Sequence, residues 1–275
     1  MESFVDTFDT VVDDALFWLS DHAAFVFDAV RLVLEGLYDG VLWLLMLPPF
    51  WAVAVIAGLI GWRALGWGFG IGGALALAAC AAMGLWPETM QTLALVVAAS
   101  VIALAISLPL GVLAGLMPRL DRALTPALDL IQTLPPYIYL LPAIALLGFG
   151  PATALVATVI VAVPPAIRLT SLGIRQTPNE FLELGQAVGA SRAQMFWKIR
   201  LPFAVPSIMA GINQSLMMAF GMVVIAGIVG SGGLGETIYG AIRTLDIATS
   251  INASIAIVVL TMLLDRLTQA AARKS

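Results

Sequence analysis

A short polar segment, residues 183–202, interrupts a chain that is otherwise rich in apolar residues. Its regularly spaced residues are Glu183, Gly185, Gly189, Ile199, Leu201 and Pro202. The carboxylate can form a charged hydrogen bond with another molecule, and the glycines allow tight turns and close approaches. The segment holds no histidine, cysteine or second carboxylate, so this spacing favours recognition of a partner over catalysis.

Residue types suited to covalent or metal chemistry are scarce in the whole sequence. It has one cysteine, Cys80, and one histidine, His22. Neither Lys198 nor Lys274 follows a glycine-rich phosphate-binding loop. We therefore expect no catalytic residue, no metal site and no cofactor bound by this chain.

The composition indicates a membrane protein. Hydrophobic residues make up 61% of the chain and charged residues 11%, with a mean hydropathy of +1.01. Apolar stretches near the ~18 residues needed to cross a bilayer recur, and helices satisfy the backbone within each stretch. The sequence predicts an all-α, polytopic membrane helix bundle with about seven transmembrane helices. The expected spans lie near residues 44–62, 66–86, 89–117, 130–148, 152–167, 203–229 and 249–265.

The basic residues predict how this bundle is oriented. Most of them fall on one side of the seven expected spans: Arg63, Arg119, Arg122, Arg168, Arg175, Arg192, Lys198, Arg200, Arg266, Arg273 and Lys274. Arg31 and Arg243 fall on the other side. Because basic residues are enriched in cytoplasmic loops, we expect the N-terminus outside and the C-terminus in the cytoplasm. The protein would be a multi-pass protein of the cytoplasmic (inner) membrane.

Residues 1–43 form an acidic segment before the first expected span. Apolar residues recur there at helical spacing, with aspartates on the other face: Phe4, Phe8, Val11, Val12, Ala15 and Leu19 against Asp6, Asp9, Asp13 and Asp14. This pattern predicts an external amphipathic helix. An acidic face is unusual for a helix on a lipid surface, so packing on the bundle or on a partner is an alternative. The transmembrane domain is expected at 44–275, with cytoplasmic helices at 177–202.

Two helix-start patterns lie in and beside the polar segment. Thr177, Pro178 and Glu180 have the order of a capping box with proline at the first helical position. Ser191 and Gln194 repeat the form of the box. The sequence therefore predicts two short consecutive helices.

The ends of these two helices are also predicted. Gly189 is placed to end the first, and Pro202 is expected to end the second. The first helix carries an apolar stripe of Phe181, Leu184 and Val188. Two capped helices favour a docking element for a cytoplasmic partner over a solvated loop. A DNA-binding helix–turn–helix is disfavoured because a membrane span follows directly.

The spacing Glu-x-Gly-x3-Gly-x9-Ile-x-Leu-Pro resembles the EAA coupling motif of permease subunits of binding-protein-dependent ABC importers. Leu184-Gly185 stands where that motif usually has two alanines, whereas the glutamate, the second glycine and the Ile-x-Leu-Pro ending are in register. From about Leu42 to Gln269 the chain resembles the glycine betaine/proline betaine/choline (osmoprotectant) branch. The resemblance is carried by residues 84–95, 128–143, 166–178, 201–235 and 263–269.

The resemblance implies a type I ABC importer permease with a MetI-like core. In such importers two permease copies, here a homodimer, form the pathway, and an external or periplasmic binding protein delivers the solute. Two ATPase subunits bind on the cytoplasmic side and hold ATP and Mg²⁺. No nucleic acid is implied; the remaining partner is membrane lipid. The ATPase-coupling residues, with the stripe added to the motif, are then Phe181, Glu183, Leu184, Gly185, Gly189, Leu201 and Pro202.

Candidate residues of the translocation path lie in the spans that proline and glycine interrupt. They are polar, aromatic or sulfur-containing: Gln132, Thr133, Tyr137, Tyr139, Asn213, Gln214, Met217 and Met218, with Ser215 among them. Helix packing is the alternative role for each. The external loop glycines are expected to form a tight turn at the gate or at the binding protein, not a phosphate cradle: Gly230, Gly232, Gly233 and Gly235.

The expected spans hold no ionisable residue away from their ends. This disfavours an ion-coupled secondary carrier and suits a net-neutral zwitterion or a compact cation. The resemblance implies glycine betaine or a related quaternary amine such as proline betaine or choline. An importer of another small solute, such as an amino acid or a sulfonate, is an alternative, as is the secondary carrier.

Overall fold

The computed structural model describes residues 10–11, 14, 17–19 and 21–272 of the 275-residue chain. This described part consists of helices and short connections and contains no strand, which confirms the all-α prediction. Several residues that predicted the N-terminal amphipathic helix lie outside the described residues: Phe4, Asp6, Phe8, Asp9, Val12, Asp13 and Ala15.

The helices from residue 24 onward are numbered along the chain. They are α1 (Ala24–Met46), α2 (Phe50–Leu65), α3 (Trp67–Ala82), α4 (Trp86–Leu116), α5 (Pro118–Thr133), α6 (Leu140–Leu147), α7 (Pro151–Arg175), α8 (Asn179–Ala187), α9 (Arg192–Met195), α10 (Leu201–Ala226), α11 (Gly233–Thr244) and α12 (Ile247–Ala272). A 3₁₀ turn precedes α6 (Pro136–Tyr139) and another follows α10 (Gly227–Val229). A π-helical segment, Phe196–Arg200, joins α9 to α10.

Three long helices, α4, α7 and α10, form the centre of the bundle. A Cβ built on Gly111 of α4 would lie 2.6 Å from Thr170 Cβ of α7, and one on Gly173 of α7 would lie 2.7 Å from Ser207 Cβ of α10. The backbones therefore approach to a distance that only glycine allows. In a bilayer, where lipid is as apolar as leucine, such close packing is the main attraction between helices.

The contacts also fix the direction of each central helix. Gly111 and Gly115 of α4 face Thr170 and Ile174 of α7 in the same order, so these two helices run parallel. The chain then turns through α8 and α9 and returns antiparallel in α10. We call the end of the bundle that carries α8 and α9 the coupling end. The connection between α10 and α11 lies at the opposite end.

Four helical stretches of the described chain are long and apolar enough to cross a membrane alone: α4, α7, Arg192–Val229 and Ile247–Ala271. Two bent pairs raise this number to six if each pair forms one span. The seven expected spans also included residues 66–86, but α3 has 16 residues and is shorter than a full span.

Consecutive prolines cause both bends. The chain turns by 92° between α1 and α2 at Pro48-Pro49, and by 106° between α5 and the helix that begins at Pro136. Proline lacks the N–H that a helix needs and disfavours helical geometry in the residue before it. The spans expected near 44–62 and 130–148, which these prolines interrupt, are therefore sharply bent.

Helix α1 packs on the central helices rather than standing apart. Its Tyr38 is buried among residues of α4, and its Arg31 and Glu35 lie beside Gly148 and Gly150 near the start of α7. The expected boundary between residues 43 and 44 falls inside this helix. Packing on the bundle is thus seen for residues 24–46, whereas the alternatives for the helix predicted from Phe4 to Leu19 stay predictions, since most of that helix lies outside the described residues.

Candidate coupling surface

The first helix of the polar segment, α8, begins without the predicted capping box. Pro178 is the residue before the helix, and no side chain caps it. Thr177 is buried, and its hydroxyl donates to the carbonyl of Ile174 at the end of α7 (3.1 Å). The predicted box at Thr177, Pro178 and Glu180 is wrong because the threonine caps the preceding helix instead.

Helix α8 ends where the sequence predicts. Gly189 has φ = +72°, a left-handed conformation that costs other L-residues energy. Its N–H donates to the carbonyl of Gln186 (3.0 Å), and the N–H of Ala190 donates to the carbonyl of Gly185 (2.9 Å). These two bonds form a Schellman motif and satisfy carbonyls at the helix end.

Helix α9 begins at the predicted capping box. Ser191 Oγ accepts from the backbone N–H of Gln194 (3.3 Å), and Gln194 Oε1 accepts from the N–H of Ser191 (2.9 Å). Gly185 of α8 is buried, and a Cβ built there would lie 2.8 Å from the ends of the Met195 and Ile199 side chains. The two helices therefore form one packed unit.

Pro202 does not end the second helix. Arg192–Val229 is one continuous helical stretch of 38 residues, which enters α10 through the π-helical segment. In this wider turn the N–H of Leu201 donates to the carbonyl of Phe196, five residues earlier. The π segment changes the hydrogen-bond register just before the proline, so the missing N–H breaks no regular ladder.

The apolar stripe of α8 faces outward. The relative exposures of Phe181, Leu184 and Val188 are 43%, 59% and 73%. Phe181 also packs against Phe203 at the start of α10, with 4.8 Å between ring centroids and 52° between the ring planes. A shallow groove beside the stripe is lined by residues of both helices: Leu184, Gly185, Val188, Gly189, Ala190, Gln194, Lys198 and Ile199.

Charged groups surround this surface. Glu183 is exposed, and no ion pair to it is found in the described residues. On the neighbouring helices, Arg175 pairs with Asp121 (2.6 Å), which ties α7 to α5. Lys198 is exposed in the π segment, Leu201 is half-buried and Pro202 is exposed. The structure thus gathers all seven predicted coupling residues at one end of the bundle.

The path candidates around the break after α5 lie mostly on the surface. Gln132, Thr133 and Tyr137 are exposed, the last by 56%. Tyr139 is half-buried, and its hydroxyl donates to the carbonyl of Ile131 across the bend (2.8 Å). These four residues all lie at the bend between α5 and α6.

The candidates in α10 have different surroundings. Asn213 forms hydrogen bonds to α12, whereas Gln214 is exposed. Met217 and Met218 are half-buried against the apolar core, and Ser215 is fully buried. The structure therefore does not bring the two groups of path candidates into a single cavity within this chain.

The glycine loop at the opposite end has its N–H groups occupied. Three consecutive donors are bonded to side chains: Gly232 to Glu236 Oε2 (2.8 Å), Gly233 to Gln91 Oε1 (2.7 Å) and Leu234 to Thr92 Oγ1 (2.8 Å). These N–H groups cannot also hold a phosphate. Gly230, Gly232 and Gly233 have positive φ, and Gly235 is buried against α10, so a tight turn is the observed form.

Sequence reasoning missed the residues that anchor this loop. Gln91 and Thr92 lie in the expected span 89–117, and the amphipathic helix α11 follows directly where only a turn was expected. The polar residues in the first turns of α4 were the available signal. Their partners are 142 positions away along the chain, which no local pattern reveals.

The described helices thus form a bundle with several membrane-length helices and an outward-facing helix pair at one end. The chain belongs to the family of binding-protein-dependent transport system inner membrane components, whose model matches residues 107–275. It is thus a multi-pass membrane permease component. Membership implies an ATPase and a substrate-binding protein as partners.

Individual relatives match most of the chain. The glycine betaine/proline betaine transport system permease protein ProW of Escherichia coli (strain K12) is 40% identical over 97% of this chain and 75% of its own length. The glycine betaine transport system permease protein OpuAB of Bacillus subtilis (strain 168) is 37% identical over 94% of this chain and 92% of its own length.

A solved structure supports the same architecture. The MetNI methionine ABC transporter, in an inward-facing conformation, contains a chain that matches with a TM-score of 0.60 and 23% identity. The match covers 67% of this chain and 92% of that one. The MetI-like type I permease fold is therefore confirmed.

Proposed function

We propose that this chain is the transmembrane subunit of an ATP-driven importer of glycine betaine or a related quaternary ammonium solute, such as proline betaine or choline. One observation carries the proposal: the two permeases named above, whose names specify glycine betaine transport, are 37–40% identical over at least 94% of this chain. Helices α8 and α9 provide the surface through which ATP hydrolysis acts.

In this proposal α8 and α9 dock into a groove of the ATPase. Docking buries the exposed side chains of Phe181, Leu184 and Val188, and removing apolar area from water contributes about 25 cal/mol per Å². Glu183 at the edge of the stripe is available to pair with a cation of the ATPase. Because the glycine turn and the Ser191 cap already fix this surface, docking costs little conformational entropy.

Force passes from the docked helices to the membrane domain through α10. Because α9 continues into α10, a rotation of α9 turns the whole helix up to Val229. Closure of the ATPase dimer on ATP would thereby switch the permease from inward- to outward-facing. ATP and Mg²⁺ belong to the ATPase, and this chain is a non-catalytic subunit.

The complete importer would contain two copies of this chain, two ATPase subunits and one external binding protein. The coupling end would face the cytoplasm, with the C-terminus inside and the N-terminus outside. The basic residues Arg175, Lys198 and Arg200 near α8 and α9 support this orientation, since cytoplasmic surfaces of membrane proteins are enriched in lysine and arginine.

The solute path would run between the two copies. Tyr137 presents its ring at the bend after α5, and a quaternary ammonium group over an aromatic face gains about 0.5–2 kcal/mol. Gln132, Thr133, Gln214 and Met217 are further candidates for contact with the solute. Each of these assignments is a prediction that follows from exposure and side-chain chemistry.

The test is uptake by the reconstituted complex. Proteoliposomes that contain the permease and its ATPase, loaded with ATP and supplied with the binding protein outside, should accumulate labelled glycine betaine. Omitting either protein should abolish uptake. Uptake by the purified permease alone would contradict the proposal and favour a secondary carrier, whereas uptake of an amino acid or a sulfonate but no betaine would change the solute class.

A further inference from the structure

A group of polar side chains joins α10 to α12 in otherwise apolar surroundings. Asn213 Nδ2 donates to Asp265 Oδ1 (3.1 Å), and Thr268 Oγ1 donates to Asn213 Oδ1 (2.6 Å). Gln269 Nε2 also donates to Asp265 Oδ1 (2.7 Å). We call these four residues the polar clasp. All four are partly buried, and both ends of the Asn213 amide are used between the two helices.

Among the described residues, no other side-chain hydrogen bond between α10 and α12 is found. The buried side chains of this interface are apolar: Leu216, Ala219 and Phe220 on α10, and Ala253, Ala256 and Leu260 on α12. Such apolar contacts have no preferred direction, and helices packed through them can slide by small amounts. Hydrogen bonds between the helices are directional, so they restrict the sliding and rotation of one helix against the other.

Asp265 accepts its side-chain hydrogen bonds from amide groups. No salt bridge to it is found in the described residues, and the adjacent Arg266 is exposed. The amide groups of Asn213 and Gln269 therefore stabilise the carboxylate. These hydrogen bonds need an oxygen acceptor at position 265 but no negative charge. A substitution that keeps the oxygen and removes the charge therefore tests hydrogen bonding separately from ionisation.

The clasp lies on the helix that leaves the coupling surface. Asn213 is 18 residues beyond Met195 in the same continuous helix, or about 27 Å along its axis. Helix α12 is not adjacent in sequence to α8 or α9. It also packs against α3, where a Cβ built on Gly73 would lie 2.7 Å from the side chain of Leu263. A rotation of α10 can thus be passed on to α12 and α3 through the clasp.

We propose that Asn213 and Asp265 are positioning residues for transport, which make α12 move with α10 as one body when the ATPase turns α9. This rests on the proposed function of α8 and α9. The amide of Asn213 is already bonded at both ends, so it serves the transfer of motion rather than contact with the solute.

The test measures how many solute molecules are transported per ATP hydrolysed in the reconstituted complex. Asn213→Leu and Asp265→Leu should keep ATP hydrolysis stimulated by the binding protein while this ratio falls at least about fivefold. Asp265→Asn keeps the acceptor oxygen and should retain the ratio. Spin labels on α10 and α12 should keep a fixed distance through the ATP cycle in the wild type and a broadened one in Asn213→Leu.

A wild-type ratio in both leucine variants would overturn the clasp, and so would an equal loss in Asp265→Asn. If the leucine variants do not assemble, Thr268→Val decides by the same ratio: between the two helices it removes the 2.6 Å bond to Asn213, and within α12 it removes the contacts of the hydroxyl with the carbonyls of Leu264 and Asp265. Failure of the proposed function is distinguishable, because the wild-type complex would then transport no betaine at all.

Discussion

At the scale of single residues, the surroundings of Gly185 explain why glycine can replace the usual residue of the EAA motif that the sequence resembles. That motif usually has alanine at this position. A Cβ here meets only the flexible ends of Met195 and Ile199, so a methyl group can be accommodated by small movements of these side chains. A larger side chain would push α8 away from α9.

Gly185→Ala should therefore keep stimulated ATP hydrolysis near the wild-type level, whereas Gly185→Leu should reduce it at least about tenfold because overpacking displaces α8. The measurement is ATPase activity of the reconstituted complex with binding protein and solute. Gly221→Leu is the matched control, because no atom lies within 4 Å of a Cβ at that position. Equal loss in the control would contradict the packing argument.

Gly189 is required for a different reason, its backbone conformation. No atom lies within 4 Å of a Cβ built there, but φ is +72°. Gly189→Ala should destabilise the turn by about 1–2 kcal/mol, while Gly189→Asn should be tolerated better because asparagine visits this conformation more readily. Hydrogen exchange of the amides at 185–190 would report the difference, and equal exchange in both variants would argue against conformational strain.

At the scale of the elements, the Ser191 cap stabilises the first turn of α9. Ser191→Ala removes the acceptor for the N–H of Gln194 and should cost about 0.5–2 kcal/mol of local stability. Faster hydrogen exchange at residues 192–195, with unchanged exchange in α4, is the expected result. Ser191→Asp keeps an acceptor and serves as the control; faster exchange in that variant as well would weaken the capping explanation.

The π-helical segment determines whether α9 and α10 act as one lever. Trp197→Gly combined with Lys198→Gly would make this joint flexible, since each glycine in a helix costs about 1 kcal/mol. The doubly substituted complex should still bind its ATPase but lose solute-stimulated hydrolysis. Unchanged stimulation would mean that motion reaches the membrane domain by another route.

At the scale of the whole molecule, local patterns predicted most of the helices and the coupling surface. Apolar runs located α4, α7, α10 and α12, and the glycine turn and second capping box were seen because their bonds join residues within a few positions. The prediction that Pro202 ends the second helix was wrong because the π-helical turn before it accommodates a proline that would end a regular α-helix. The first capping box failed because Thr177 had a competing acceptor on α7.

Contacts between distant residues could not be predicted in the same way. The bonds from Gln91 and Thr92 to the glycine loop, and those of Asn213 to α12, depend on how helices meet in space. The bends at Pro48-Pro49 and Pro135-Pro136 had a visible cause, but their angles follow from packing against α4 and α7. Such tertiary contacts and bend angles can be inferred from a sequence only through its similarity to known proteins.

The most direct test of the account is the affinity of the ATPase for the permease held in lipid nanodiscs. Leu184→Asp with Val188→Asp should weaken binding at least about a hundredfold, because two buried apolar contacts are replaced by unpaired charges. Leu245→Asp, an 85% exposed leucine at the opposite end, should leave affinity unchanged. Wild-type affinity in the double variant, or an equal loss in Leu245→Asp, would contradict docking through α8 and α9.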